Sequence, residues 1–63
     1  MKLDIKENKP KKEEVILFKD KLSTHPEVGI YQEFDDVCKV YVISCDDVAD
    51  LDTIDWWMKI PQD

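Results

Sequence analysis

Two stretches in the middle of the chain alternate as half-buried strands do. In Val28–Phe34, the residues Val28, Ile30 and Phe34 fall on one side and Tyr31 and Glu33 on the other. Val37–Cys45 is rich in β-branched and aromatic residues on both faces, the pattern of a central strand. Asp35-Asp36 between them reads as a hairpin turn, with neither Gly nor Asn-Gly to set its type. A two-residue loop places Phe34 opposite Val37. A three-residue loop gives better cross-strand pairs, Glu33 with Lys39 and Tyr31 with Tyr41, but pushes Val37 toward a left-handed backbone that β-branched residues resist. The pattern leaves both registers open.

The flanks read differently. Lys11–Ser23 is expected to be a helix: Val15, Phe18 and Leu22 recur at i, i+3 and i+7, and Ile16 and Leu17 widen that face. Glu13 and Glu14 near its start and Lys19 and Lys21 near its end suit the helix dipole, Pro10 suits the first turn, and Thr24-His25-Pro26 ends it. Lys2–Glu7 alternates enough for a short first strand and is equally a frayed basic terminus. Asp46–Ile60 carries two patterns. Val48, Leu51, Ile54 and Met58 form a helical stripe, with Ser44 or Asp46 as cap. Ile54, Trp56, Met58 and Ile60 alternate as a strand. Length and the Asp46–Asp52 stretch favour the helix; Thr53 and the tryptophan pair favour one helical turn followed by a strand. The helix is preferred.

Assembled, these elements predict a small single α+β domain over residues 1–63, βαββα-like. An antiparallel hairpin carries one or two helices on one face, residues 1–9 are a frayed end or first strand, and 61–63 are a tail. The other sheet face, with Tyr31 and Val40 or Val42, is left to a partner. Gly29, the single glycine, sits inside a strand, where it marks a bulge or a close backbone approach. A chain of this length buries only about 60% of its unfolded surface, so its core is small and a second copy would help to complete it.

Charge then divides the chain. Residues 1–32 hold seven lysines and six acids; residues 33–63 hold two lysines and nine acids, eight of them aspartate. The whole net charge of −6 comes from the second half. A surface of one sign steers association with a basic partner. All nine basic residues are lysine, and the absence of arginine, with the acidic balance, argues against direct nucleic-acid binding. The first residues hold no apolar signal core, and no run approaches the roughly 20 apolar residues of a membrane span. Cys38 and Cys45 on one strand would lie roughly 23 Å apart, too far for a bridge, and free thiols point to a reducing, cytoplasmic setting.

Candidate chemistry is thin. Asp50-x-Asp52-x-x-Asp55 lacks the glycine and distal glutamate of a calcium loop, and His25, Cys38 and Cys45 lack zinc spacing. His25 with Ser23 nearby is the sort of pair that any short chain offers, and no Gly-rich phosphate loop occurs. No catalytic residue, cofactor or metal is therefore expected. The aspartates are the remaining feature. Asp46, Asp47, Asp50, Asp52 and Asp55, with Asp35, Asp36 and Trp56 as accessories, are the expected partner-binding residues. On a helix, Asp46 and Asp50, and Asp52 and Asp55, would repel each other at roughly 5–6 Å, a local cost that suggests short carboxylates imitating a row of phosphates. Trp56 and Trp57 cannot both face one core, so one of them is a candidate interface anchor.

The function expected is that of a small acidic, non-catalytic inhibitor or regulator. It would present an aspartate-rich, nucleic-acid-mimicking surface to a protein with a basic site, such as a nucleic-acid-processing enzyme. In composition the chain resembles small acidic phage or plasmid proteins that block host enzymes, a resemblance of class carried by no motif. The alternative is a structural adaptor or homodimeric subunit whose acids only confer solubility.

Overall fold

The computed structural model describes residues 1–60, which form five strands, one short 3-10 turn and no α-helix. The strands are β1 (Val15–Asp20), β2 (Glu27–Phe34), β3 (Val37–Val42), β4 (Asp47–Asp50) and β5 (Ile54–Lys59), with the 3-10 turn at Leu51–Thr53. All belong to one antiparallel sheet in the order β4-β3-β2-β1-β5. The expected α+β fold is thus replaced by a small all-β domain. The expected tail, 61–63, lies outside the described residues.

The helix expected at Lys11–Ser23 is strand β1. Its apolar run is two-sided: Ile16 and Phe18 are buried at 0% and 1% exposure, and Leu17 points the other way. β1 carries apolar residues on its inner and outer faces alike, and such a run imitates a broad helical face. Leu22, the third member of the supposed stripe, is 93% exposed. The helix preferred at Asp46–Ile60 is β4, the 3-10 turn and β5. The alternative of one helical turn followed by a strand describes it better. Alternation in β5 breaks because the register slips between Lys19↔Trp56 and Asp20↔Ile54, leaving Asp55 as an extra residue. Ile54 and Trp57 therefore both face the core, and Trp56 and Met58 share the opposite face. The first strand suggested at 2–7 reduces to a single bridge, Leu3↔Trp57.

The central hairpin forms as expected, with β2 and β3 paired from Gly29↔Val42 to Phe34↔Val37. This is the two-residue loop. Asp35 takes the strain with φ 54°, and φ is not positive at Asp36, the sign pattern of a type II′ turn. Asp46, the last residue before β4, also has φ 53°. A third left-handed residue, Glu13 (φ 65°), precedes β1. There the Tyr31 carbonyl accepts from the Glu13 N–H and the Tyr31 N–H donates to Glu14, so two residues oppose one in a bulge.

The shape follows from the connection between the edge strands. Four strand spacings of about 4.8 Å would hold β4 and β5 about 19 Å apart in a flat sheet. The 3-10 turn between them advances only about 2 Å per residue. The sheet must coil until its edges approach, making a small, partly open barrel. Hydrogen bonds pin the link: Thr53 Oγ1 donates to the Asp50 carbonyl at 2.8 Å, and the Lys21 N–H donates to the Thr53 carbonyl at 2.8 Å.

Inside lie Ile16, Phe18, Tyr31, Val40, Val42, Ile54 and Trp57, joined by Ile5 from the N-terminal segment. The face with Tyr31, Val40 and Val42, expected to be left to a partner, is therefore the core. Leu3–Asn8 straps across β5. Leu3 and Trp57 exchange backbone hydrogen bonds of 2.7 and 3.0 Å, and Trp57 Nε1 donates to the Asn8 carbonyl at 2.8 Å.

The outer face of the sheet is also apolar. Met58, Leu17, Val28 and Ile43 form one row across β5, β1, β2 and the end of β3. Val15, Ile30, Tyr41 and Val48 form the next row, across β1 to β4.

Gly29 marks the close approach expected of it. A Cβ there would sit 2.6 Å from Val40 Cγ1, 2.8 Å from Phe18 Cε1 and 2.9 Å from the Tyr41 carbonyl oxygen. Gly29→Ala should destabilise the fold by about 1–3 kcal/mol through overpacking, read as a lower urea midpoint at unchanged slope. An unchanged midpoint would show that the barrel yields at that point.

Candidate functional site

The sheet distributes the aspartates instead of gathering them on one helix face. Asp35 and Asp36 form the β2–β3 turn at one end of the barrel; Asp46 and Asp47 lie at the β3–β4 turn at the opposite end. The six residues of β3 separate the two turns by roughly 17 Å. Asp50 closes β4, Asp52 is in the 3-10 turn and Asp55 is the bulged residue of β5. The Asp46/Asp50 and Asp52/Asp55 pairs expected on a helix do not form.

Lysines neutralise three of these acids, two of them from the nearly neutral half. Lys6 pairs with Asp52, Lys39 with Asp50, and Lys19 lies 3.8 Å from Asp55. Lys39 faces Asp50 directly because they are cross-strand partners. The hydrogen bond and charge of Lys6 hold the Asp52 carboxyl below its usual range, and Asp52 in turn raises the lysine. The charge division along the sequence is thus partly cancelled in space.

Of the acids that remain, Glu33, Asp35 and Asp36 lie at the end with the β2–β3 turn, and a second group lies at the end that holds the β3–β4 turn. Asp20 ends β1, Glu27 begins β2, and Asp46 and Asp47 precede and begin β4. No ion pair reaches any of the four among the described residues. Each is instead oriented by a hydrogen-bond donor. Asp20 accepts from the Leu22 N–H at 2.8 Å, Glu27 from Ser44 Oγ at 3.2 Å and Asp47 from the Val48 N–H at 2.7 Å. Asp46 accepts from the Tyr41 hydroxyl, whose pKa that hydrogen bond raises. Asp20, Glu27, Asp47 and Asp50 line a crevice of about 460 Å³ together with Ser23 and Thr53. It opens where the barrel fails to close between β4 and the end of β1.

Asp20 and Glu27 escaped the sequence reading because they lie in the half whose charges balance. The available signal was that β1 and the central hairpin run antiparallel, which brings their ends beside the β3–β4 turn. Trp56, the accessory aromatic, lies on the outer face opposite Lys19, half-buried, with Lys2 Nζ 4.9 Å from its ring centroid. Trp57 is the core tryptophan. The two rings point to opposite faces.

No group of three or more His, Cys, Asp or Glu is arranged to hold a metal among the described residues. Cys38 is half-buried and Cys45 exposed, and both are free. No helix among the described residues is long and apolar enough to cross a membrane. Comparison with family models, with curated proteins and with solved structures gives no match for this chain.

One polar atom in the core stands alone. The Tyr31 hydroxyl is buried without a hydrogen-bond partner, and burial, reinforced by neighbouring Cys38, pushes its pKa well above the usual phenol value. An unsatisfied buried hydroxyl costs about 1–3 kcal/mol, so Tyr31→Phe should hold or raise stability at neutral pH, by up to about 1 kcal/mol in urea titration. A clear loss would reveal a partner. The folded state also keeps the Tyr31 proton after the unfolded chain has released its own near pH 10. This contribution is therefore intact below pH 10 and is lost as pH rises beyond it. Tyr31→Phe should flatten that alkaline loss.

Proposed function

We propose that this chain is a non-catalytic binding protein that inhibits or regulates a protein partner with a basic surface, engaging it through the acidic end of the barrel. The observation that carries the reading is the set of four carboxylates, Asp20, Glu27, Asp46 and Asp47, which no lysine neutralises while the acids of the 3-10 turn and β5 are paired. Their arrangement refines the phosphate-mimic idea. Asp20, Glu27 and Asp47 line a crevice instead of forming a row, so they suit a protruding lysine or arginine better than a groove built to follow a phosphate ladder. Arginine is the better fit, since its planar fork meets carboxylates in pairs. A nucleic-acid-processing enzyme remains the plainest kind of partner, because such enzymes display basic side chains.

Four carboxylates of one sign act mainly on the rate of encounter. The partner is first recovered by pull-down from source cells, and its binding is then followed by surface plasmon resonance at low and high salt. Asp46→Lys with Asp47→Lys should lower affinity about tenfold or more, chiefly through the association rate, and reduce its salt dependence. Asp50→Lys with Asp52→Lys should cost less, since those acids already have lysine partners. Equal affinity of the first variant and the parent chain would sink the proposal.

A further inference from the structure

We propose that Cys38 is an oxidation site: hydrogen peroxide converts its thiol to a sulfenic acid, and the buried Tyr31 hydroxyl holds the new oxygen. The inference is independent of the acidic end, since Cys38 lies at the opposite end of β3, beside the β2–β3 turn.

The geometry comes from the register. Tyr31 faces Val40, and Cys38 stands two residues before Val40 on β3, so the three side chains share the inner face. Diagonal neighbours of this kind lie about 7–8 Å apart, within reach of an aromatic side chain. Tyr31 is 0% exposed, its hydroxyl has no hydrogen-bond partner, and the Cys38 side chain lies beside it. Among the described residues, no other buried side-chain nitrogen or oxygen is left without a partner.

An orphan of this kind calls for a reason. A thiol sulfur is a weak acceptor and does not satisfy a buried hydroxyl. An oxygen added to Sγ is a strong one, formed where the donor already points. The reduced protein thus carries the cost of an unmade hydrogen bond, and the oxidised protein makes that bond.

Access is one-sided. Cys38 is half-buried and packs against the core on its inner side. On its outer side it belongs to the wall of an open crevice of about 470 Å³, together with Lys9, Lys39, Leu51 and Asp52. A small peroxide can enter there. A sulfur lone pair then forms the S–O bond as the O–O bond breaks, and the leaving hydroxide takes the thiol proton and departs as water. Sulfur loses two electrons and the peroxide gains them. Cys45, the other cysteine, lies past the far end of β3, so no second thiol of the same chain is at hand to turn the sulfenic acid into a disulfide.

The test uses the full chain with Cys45→Ser, so that Cys38 is its one thiol. After brief treatment with hydrogen peroxide, dimedone should add once, and peptide mass mapping should place it on Cys38. Thermal unfolding before and after dithiothreitol isolates the effect of the sulfenic acid, because this thiol reduces it and leaves oxidised methionine unchanged. One hydrogen bond gained corresponds to about 4–8 °C in a chain of this size. The reversible change in melting temperature on oxidation should be more favourable by about that amount in Cys45→Ser than in Tyr31→Phe with Cys45→Ser. Tyr31→Phe should thereby turn from neutral or stabilising in the reduced chain to destabilising in the oxidised one, a reversal that a merely structural tyrosine would not show. Absence of the dimedone adduct from Cys38 would overturn the proposal. Equal reversible changes with and without the Tyr31 hydroxyl would overturn it as well.

Discussion

A link of three residues between the two outermost strands is the constraint on which the molecule depends. Leu51–Thr53 cannot span a flat five-stranded sheet, so β4 and β5 are drawn toward each other and the sheet coils. Coiling turns one sheet face into an interior just large enough for Phe18, Tyr31, Trp57 and the aliphatic residues around them. It also decides what stays outside. Apolar residues occupy both faces of β1, β2 and β3, but a coiled sheet can enclose only one. The other face is left as the outer surface of the barrel.

The same geometry redistributes charge. Lysines from the first half of the chain reach Asp52 and Asp55, and Lys39 reaches Asp50 across the β3–β4 pairing. Exposed pairs of this kind contribute little to stability, but they decide where the field of an acidic chain is felt. It is felt at the two ends of the barrel, one of them where β1 stops, β2 begins and the β3–β4 turn projects. Two of the aspartates of that region have a further structural use. Asp47 and Asp50 stand on a short edge strand, where charge opposes pairing with another sheet.

The hairpin was the most legible part of the fold. Its alternation, β-branched content and turn residues all pointed the same way; β2 matches its expected bounds within a residue, and β3 ends at Val42, three residues short of Cys45. The helices were misread for a definite reason. Val15-Ile16-Leu17-Phe18 is apolar on consecutive positions, on the inner and outer faces of β1 alike, and the period-2 signal vanishes where both faces are apolar. In the last segment, the bulge at Asp55 shifts the alternation by one residue, so neither a simple strand pattern nor a helical stripe describes Ile54–Ile60 fully. Propensity held better: the Trp-Trp pair and Thr53 pointed to a strand. Among the site residues, Asp46 and Asp47 are on the acidic end, Asp50 lines its crevice, and Asp35 and Asp36 are far from it. Asp20 and Glu27 were invisible to a count of charge along the chain, because only the antiparallel return of β1 into β2 brings them there.

The strap that joins Leu3 and Asn8 to Trp57 has a bearing on how the protein is made. Its contacts connect positions about fifty residues apart in sequence. Synthesis proceeds from the N-terminus, so Leu3 and Ile5 emerge long before the strand that receives them. Each of β2, β3 and β4 pairs with the strand just before it, whereas β5 must reach back to β1. The inner face of the sheet stays uncovered until β5 arrives. Closure of the barrel is therefore a late event, and an interval with Phe18 and Tyr31 still open to water is built into the order of the strands.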